Sequence, residues 1–286
     1  MSWVIASLLM FVSSISFYLA VKKLQVLNID KRVITLANYI FPTIIFFTIS
    51  ISQGQSLILP IHIIIMILVL RVLFNYLGTI AGYKSMEEAP NAGYSLVIQK
   101  SYAIYTLFAA AIIYGSEISL RRFLISGFIL FCASIVAITK TSSTTKTSRW
   151  VLYAIVSMFS FGSISLSSKY FAGIGIQSAP LLFWVCLLTL VMTIGDSKRV
   201  KLNIGKISRE VGFYMVILGL SVSGLYFFKL AAEIAAPNLG YVAAINAAST
   251  AVYTVLVAKI FGDSLSPKKL LAVIGMTVGL ILLLFT

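Results

Sequence analysis

Ala89-Pro90-Asn91-Ala92-Gly93-Tyr94 recurs 147 residues later as Ala236-Pro237-Asn238-Leu239-Gly240-Tyr241. The same ungapped offset pairs Trp3 with Trp150, Ser13 with Ser160, Ser16 with Ser163, Lys22 with Lys169, Gly115 with Gly262 and Ser119 with Ser266. Chance likeness between apolar segments does not hold Trp, Pro, Asn and Gly in register. The chain therefore reads as two copies of one unit.

The medium of that unit follows from composition. Of 286 residues, 60% are hydrophobic and 10% charged, and the mean hydropathy is +1.03. A soluble domain is nearer half apolar and a quarter charged, so too little polar surface is present to cover a soluble fold. This excludes a cytosolic enzyme, a disordered chain and a nucleic-acid-binding module, despite a formal net charge of +14. Lipid is the expected solvent. Apolar runs fall at about 3–21, 33–52, 58–83, 91–113, 119–139, 150–169, 179–195, 211–231, 238–260 and 268–285. They are too long for barrel strands, and of the two structures that satisfy a backbone in lipid this leaves the helix. The N-terminus lacks a basic region and a small-residue cleavage site, so it is read as a retained span.

The expected fold is thus all-α and integral to the membrane, with ten transmembrane helices. Residues 1–139 form the first five-helix repeat, 140–149 a linker and 150–286 the second. Five is odd, so the second copy enters the membrane the other way up. This is the inverted repeat that underlies alternating access in many secondary transporters. Pro90 and Pro237 stand where a helix begins, at a position where a missing N–H is harmless. Asn91 and Asn238 offer oxygens to the first-turn N–H groups, and Gly93 and Gly240 allow close helix approach.

Of the 22 basic residues, sixteen fall on the side away from the termini and four on the side of the termini. Arg71 and Lys100 lie within spans. The positive-inside rule makes the first side cytoplasmic and puts both termini outside, with the cell (inner) membrane as the expected location.

The repeated A-P-N-x-G-Y, the turns Gly115-Ser116-Glu117-Ile118-Ser119 and Gly262-Asp263-Ser264-Leu265-Ser266, and the last glycine-containing spans resemble the EamA-type transporters of the drug/metabolite transporter superfamily. The family pattern has an acidic residue after the turn glycine; Asp263 matches it and Glu117 is displaced by one. The resemblance covers nearly the whole chain. It implies a cavity lined by spans 1–4 and 6–9, with spans 5 and 10 peripheral, and substrates that are small metabolites. It also implies cytoplasmic termini, against the charge count, and the count is the expectation kept here.

A charge at bilayer depth marks function by default. Arg71 and Asn75 share a helical face with Thr79 and Gly82; Gln99 and Lys100 match Asn246 and Ala247 in the other half. Asn246, Thr250 and Tyr253 share a face in span 9, as do Ser223, Tyr226 and Lys229 in span 8. The expected substrate-binding set is Arg71, Asn75, Gln99, Lys100, Tyr226, Asn246 and Tyr253, with Tyr76 and Tyr102 near it. All eight acidic residues, Glu233 included, read as lying in loops or near span ends. Neither deep cation then has a deep carboxylate, which argues against proton antiport through a buried acid and for facilitated diffusion or exchange. Arg71 and Lys100 read either as an anion site or as braces between helices, with snorkelling a third reading for Lys100.

His62 is the only histidine, Cys132 and Cys186 lie in apolar stretches as small fillers, and no nucleophile or phosphate-loop motif occurs. No enzyme activity, metal or cofactor is expected. The expected function is secondary transport of a small polar metabolite, anionic or zwitterionic. A cationic drug or amine exporter, or a lipid-carrier flippase or scaffold subunit, stands as the alternative. The partners are a small-molecule substrate and the lipid bilayer, with no nucleic acid, and a homodimer is left open.

The orientation is testable by labelling. Cysteine at Gln53 is expected to react with an impermeant thiol reagent in intact cells, and cysteine at Lys201 to be protected. The reverse pattern would place both termini in the cytoplasm.

Overall fold

The computed structural model describes residues 1–89, 92–137, 149–197, 208–261 and 267–285. These residues fold into helices: α1 (Trp3–Val26), α2 (Lys31–Ser52), α3 (Ile61–Ile67), a π-helical stretch (Leu68–Leu73), α4 (Phe74–Glu88), α5 (Ala92–Lys100), α6 (Tyr102–Tyr114), α7 (Leu120–Ala137), α8 (Arg149–Gly173), α9 (Ser178–Ser197), α10 (Arg209–Ala235), α11 (Leu239–Phe261) and α12 (Pro267–Phe285). No strand occurs among the described residues. Seven helices among them are long and apolar enough to cross a bilayer. Large apolar side chains face outward, such as Leu120, Leu124 and Phe131 on α7 and Leu271, Ile274 and Val278 on α12. In water such faces would aggregate; they suit hydrocarbon. The chain is a multi-pass membrane protein.

Short polar signals set the helix ends. Ser2 caps α1 by accepting the Ile5 N–H at 3.4 Å, and Ser208 caps α10 by accepting that of Val211 at 3.2 Å. Gly115 ends α6 with φ +62°, the left-handed geometry that glycine adopts without strain. In the second A-P-N-x-G-Y, Asn238 is the cap: its Oδ1 accepts the Gly240 N–H at 2.9 Å. Its amide also donates to the carbonyls of Leu107 at 3.2 Å and Glu117 at 3.4 Å. The motif therefore pins the start of α11 to the middle of α6 and to the turn that follows α6. Pro237 precedes this cap instead of occupying the first helical position, which corrects the expectation for that proline. Gly240 meets α6 so closely that an added Cβ would lie 2.4 Å from Leu107 Cβ and 2.8 Å from the Ala103 carbonyl oxygen. Pro90 and Asn91 lie outside the described residues, as do 138–148 of the linker region, the basic segment 198–207 and the turn 262–266.

Two expected spans are not uniform helices. Span 3 runs from Ile61 to Glu88 but passes through a π-helical turn centred on Arg71. Span 4 breaks at Ser101, immediately after Lys100. The Ser101 hydroxyl donates to the Val97 carbonyl at 2.9 Å, a back-bond that bends helices. The corresponding stretches of α10 and α11 continue without interruption.

Helix packing crosses between the halves. α1 packs on α10, and its repeat partner α8 packs on α4. α2 packs on α9, α6 on α11 and α7 on α12, each pairing repeat-equivalent helices. At the α1–α10 and α4–α8 contacts small residues let the helices approach. A Cβ on Gly224 would meet Ser13 Oγ at 2.9 Å, and one on Gly78 would meet Ser160 Cβ at 2.9 Å. Ser13 and Ser160 are matched at the offset of 147, and both act as spacers that let helices approach.

Gly240→Leu is expected to destabilise the purified protein by about 1–3 kcal/mol through overpacking against α6. Gly212→Ala, where the added Cβ meets nothing within 4 Å, should instead stabilise α10 by up to about 1 kcal/mol through helix propensity. Thermal unfolding in detergent measures both.

Candidate functional site

A cavity of about 310 Å³ lies between the halves. Its described lining comes from α1, α2, α4, α5, α6, α8, α9, α10, α11 and the π-helical turn, and none of it from α7 or α12. Arg71, Asn75, Gln99, Lys100, Tyr226 and Asn246 all line it. Of the expected set Tyr253 does not. It packs instead on the cavity-lining Tyr18, with ring centroids 5.1 Å apart. Tyr102 lines the cavity, whereas Tyr76 is exposed. The polar stripe of span 3 divides: Arg71 and Asn75 face the cavity, while Gly82 packs on α8.

The charges are arranged as a relay. Arg71 is 7% exposed, and its Nη1 donates to Ser168 Oγ at 3.0 Å. Ser168 in turn donates to Glu233 Oε2 at 2.6 Å. The other carboxylate oxygen, Oε1, lies 3.6 Å from Lys229 Nζ, one helical turn earlier. Glu233 is 2% exposed. The expectation that no carboxylate lies near the deep cations is therefore wrong. Glu233 is close to the end of α10 along the chain but is covered on all sides by neighbouring helices. Lys229, counted in the charge balance with the side of the termini and placed on a polar face of span 8, lies inside α10 and lines the cavity. Lys169, counted with it, lies inside α8 and donates to Ser116 at 3.3 Å.

Three cations and one carboxylate thus line the cavity: Arg71, Lys100 and Lys229 against Glu233. Two donors remain over. The Arg71 Nε is buried with no hydrogen-bond acceptor among the described residues. Lys100 forms no ion pair among them. Every one of these four charges stands where the repeat is broken: at an offset of 147, Arg71 matches Leu218, Lys100 matches Ala247, Lys229 matches Gly82 and Glu233 matches Met86.

The amides differ in role. Gln99 Nε2 donates to Ser95 Oγ at 2.8 Å and to the Gly82 carbonyl at 3.3 Å, and its Oε1 accepts from Ser157 at 3.3 Å. Ser157 also donates to the Gly78 carbonyl at 2.8 Å. Gln99 is saturated by protein partners and ties α4, α5 and α8 together. Asn246 donates to Tyr102 Oη at 3.1 Å across the halves, and Asn75 donates to Tyr39 Oη at 3.4 Å. Lys229 and Glu233 stand outside the expected substrate-binding set although both line the cavity, and Tyr39 and Ser168 carry no sequence signal at all. The latter two are ordinary helix residues whose only signal is the partner they meet in space.

No known protein family's sequence profile matches the chain. A curated protein of Archaeoglobus fulgidus, named an uncharacterized transporter, is 22% identical over 183 residues, which cover 63% of this chain and 64% of that protein. The chain thus aligns with less than two thirds of that relative's length. A crystal structure described only as that of a protein superposes with a TM-score of 0.77 at 14% identity, covering 98% of this chain and 95% of its own. At that identity the likeness is one of fold.

Gln99→Leu should lower thermal stability by an amount equivalent to about 1–3 kcal/mol, because buried serine and carbonyl partners lose their pairing. Thermal unfolding in detergent measures the loss.

Proposed function

We propose that this protein is a secondary transporter that carries a small anion, a carboxylate or phosphate, by alternating access between two inverted five-helix repeats of the EamA type. The observation that carries the reading is the charge excess of the cavity. Arg71, Lys100 and Lys229 line it, and among the described residues Glu233 is the sole acid in the lining and Arg71 Nε meets no acceptor. Unpaired charge in a low-dielectric site is strongly unfavourable, so a ligand that supplies negative charge there gains what the protein leaves unmet. Arg71 brings a planar fork suited to a carboxylate or phosphate, and Lys100 a mobile point charge. The tyrosines and apolar side chains of the wall give the rest of a small ligand a surface to pack on.

The packing pattern supports alternating access. α1 on α10 and α8 on α4 are the same contact with the halves exchanged, so rocking one half against the other has a mirror-related counterpart. The cavity lies between the halves, where such a motion would change which end is open. An amine exporter would need an available acid, and Glu233 has both oxygens engaged by Ser168 and Lys229. The substrate-binding assignment rests on Arg71, Lys100 and Lys229, with Asn75, Tyr226 and Asn246 shaping the wall. Gln99 braces it, and Tyr253 backs it through Tyr18.

In a thermal-shift panel on purified protein, carboxylates and phosphates are expected to raise the melting temperature and alkylamines to leave it unchanged, because a ligand stabilises the state it binds. Lys100→Gln should weaken the best anion about tenfold with folding retained. Arg71→Lys should weaken it too, through loss of the fork. Stabilisation by amines alone would overturn the reading.

A further inference from the structure

Glu233 does something more specific than balance charge. It belongs, with Ser168, to the second half of the chain, whereas Arg71 belongs to the first. The hydrogen bonds Arg71 Nη1 to Ser168 Oγ, 3.0 Å, and Ser168 Oγ to Glu233 Oε2, 2.6 Å, therefore clip the halves together through a buried carboxylate. The guanidinium does not touch that carboxylate directly. It is held one hydroxyl away, with its Nε still without an acceptor. Lys229 sits on the same carboxylate at 3.6 Å, longer than a close ion-pair hydrogen bond. The cations are thus satisfied loosely, by a carboxylate fixed to the protein, in a cavity that has room for a free one.

We propose that Glu233 is a resident counter-ion that the transported anion displaces. In the empty cavity Arg71 and Lys229 share the single negative charge of Glu233, the first through Ser168. When an anion enters, it takes the Arg71 fork from Ser168 and shares Lys229, and the clip between the halves opens. Glu233 then sets both affinity and selectivity. Any ligand must offer the cations a better acceptor than a carboxylate already in place, which a neutral molecule or an amine cannot do. The same displacement links binding to motion, because the bond that the substrate replaces is one that joins the two halves. This inference rests on the anion reading above.

The test is anion affinity of the full-length protein in detergent, with succinate and inorganic sulfate as probes, measured by titration calorimetry. Glu233→Gln removes the competing charge and should tighten binding about tenfold, within the range usual for coupling between groups that share a site. Ser168→Ala changes no charge but cuts the link from Arg71, and should tighten binding about threefold. A merely structural carboxylate would give the opposite result, weaker binding together with a lower melting temperature. If Glu233→Gln does not fold, Ser168→Ala decides. Tighter binding in Glu233→Gln with no change in Ser168→Ala would show a general field effect and overturn the displaced-clip inference. Unchanged or weaker binding in both variants would overturn it as well, while leaving the anion site of the wild-type protein intact. Failure of the folded wild-type protein and both variants to bind either probe would overturn the anion reading and this inference together.

Discussion

A charge placed inside a low-dielectric interior must be met by an opposite charge or a set of dipoles, and the centre of this molecule is organised around meeting that demand incompletely. Arg71, Lys100 and Lys229 face one cavity with Glu233 between two of them. Breaking a buried pair leaves an uncompensated ion, which is far more damaging than never having buried the pair. Glu233 is therefore essential to the empty protein for as long as the cations remain. The interposed Ser168 keeps the strongest of the possible pairs, a direct guanidinium–carboxylate fork, from forming.

The rest of the architecture positions that cluster. Small residues at the α1–α10 and α4–α8 contacts bring backbones close, so the helices that carry the charges converge. Asn238 and Gly240 lock α11 to α6, and the Asn246–Tyr102 bond continues the same contact toward the cavity. Gln99, with its amide shared among three helices, holds α5 so that Lys100 follows it into the cavity. The helices around the rim, α7 and α12, contribute apolar faces to the surroundings and nothing to the described lining.

Symmetry and function occupy different residues. The repeat is kept in the residues that shape the fold: Trp, Pro, Asn, Gly and the serine spacers. It is broken at each of the four cavity charges. The local backbone is also irregular there, and only in the first half: a π-helical turn carries Arg71, and the helix breaks just after Lys100. Such turns recur at functional sites because they shift a side chain out of the regular helical register. The two parts of the chain related by the offset of 147 thus contribute different residues to the cavity.

What the amino-acid order alone determined was everything that depends on local or periodic physics. Apolar runs of membrane length dictate helices, because lipid leaves the backbone no other partner. Rare residues keep register at a constant offset along the chain, and the two cations within apolar runs both line the cavity, where a charge is costly to bury. What only the tertiary structure decided was which groups face them. Glu233 reads as a helix-end residue near a loop because distance along a chain measures depth on its own helix and not coverage by others. Ser168 and Tyr39 carry no signal until a neighbour arrives. Gln99 and Tyr253, both polar residues on inward-looking faces, part company for the same reason: one is consumed by hydrogen bonds to adjacent helices and the other stops one ring short of the cavity. Counter-charge and hydrogen-bond satisfaction are properties of contacts between segments far apart in sequence, and periodicity says nothing of which segments will meet.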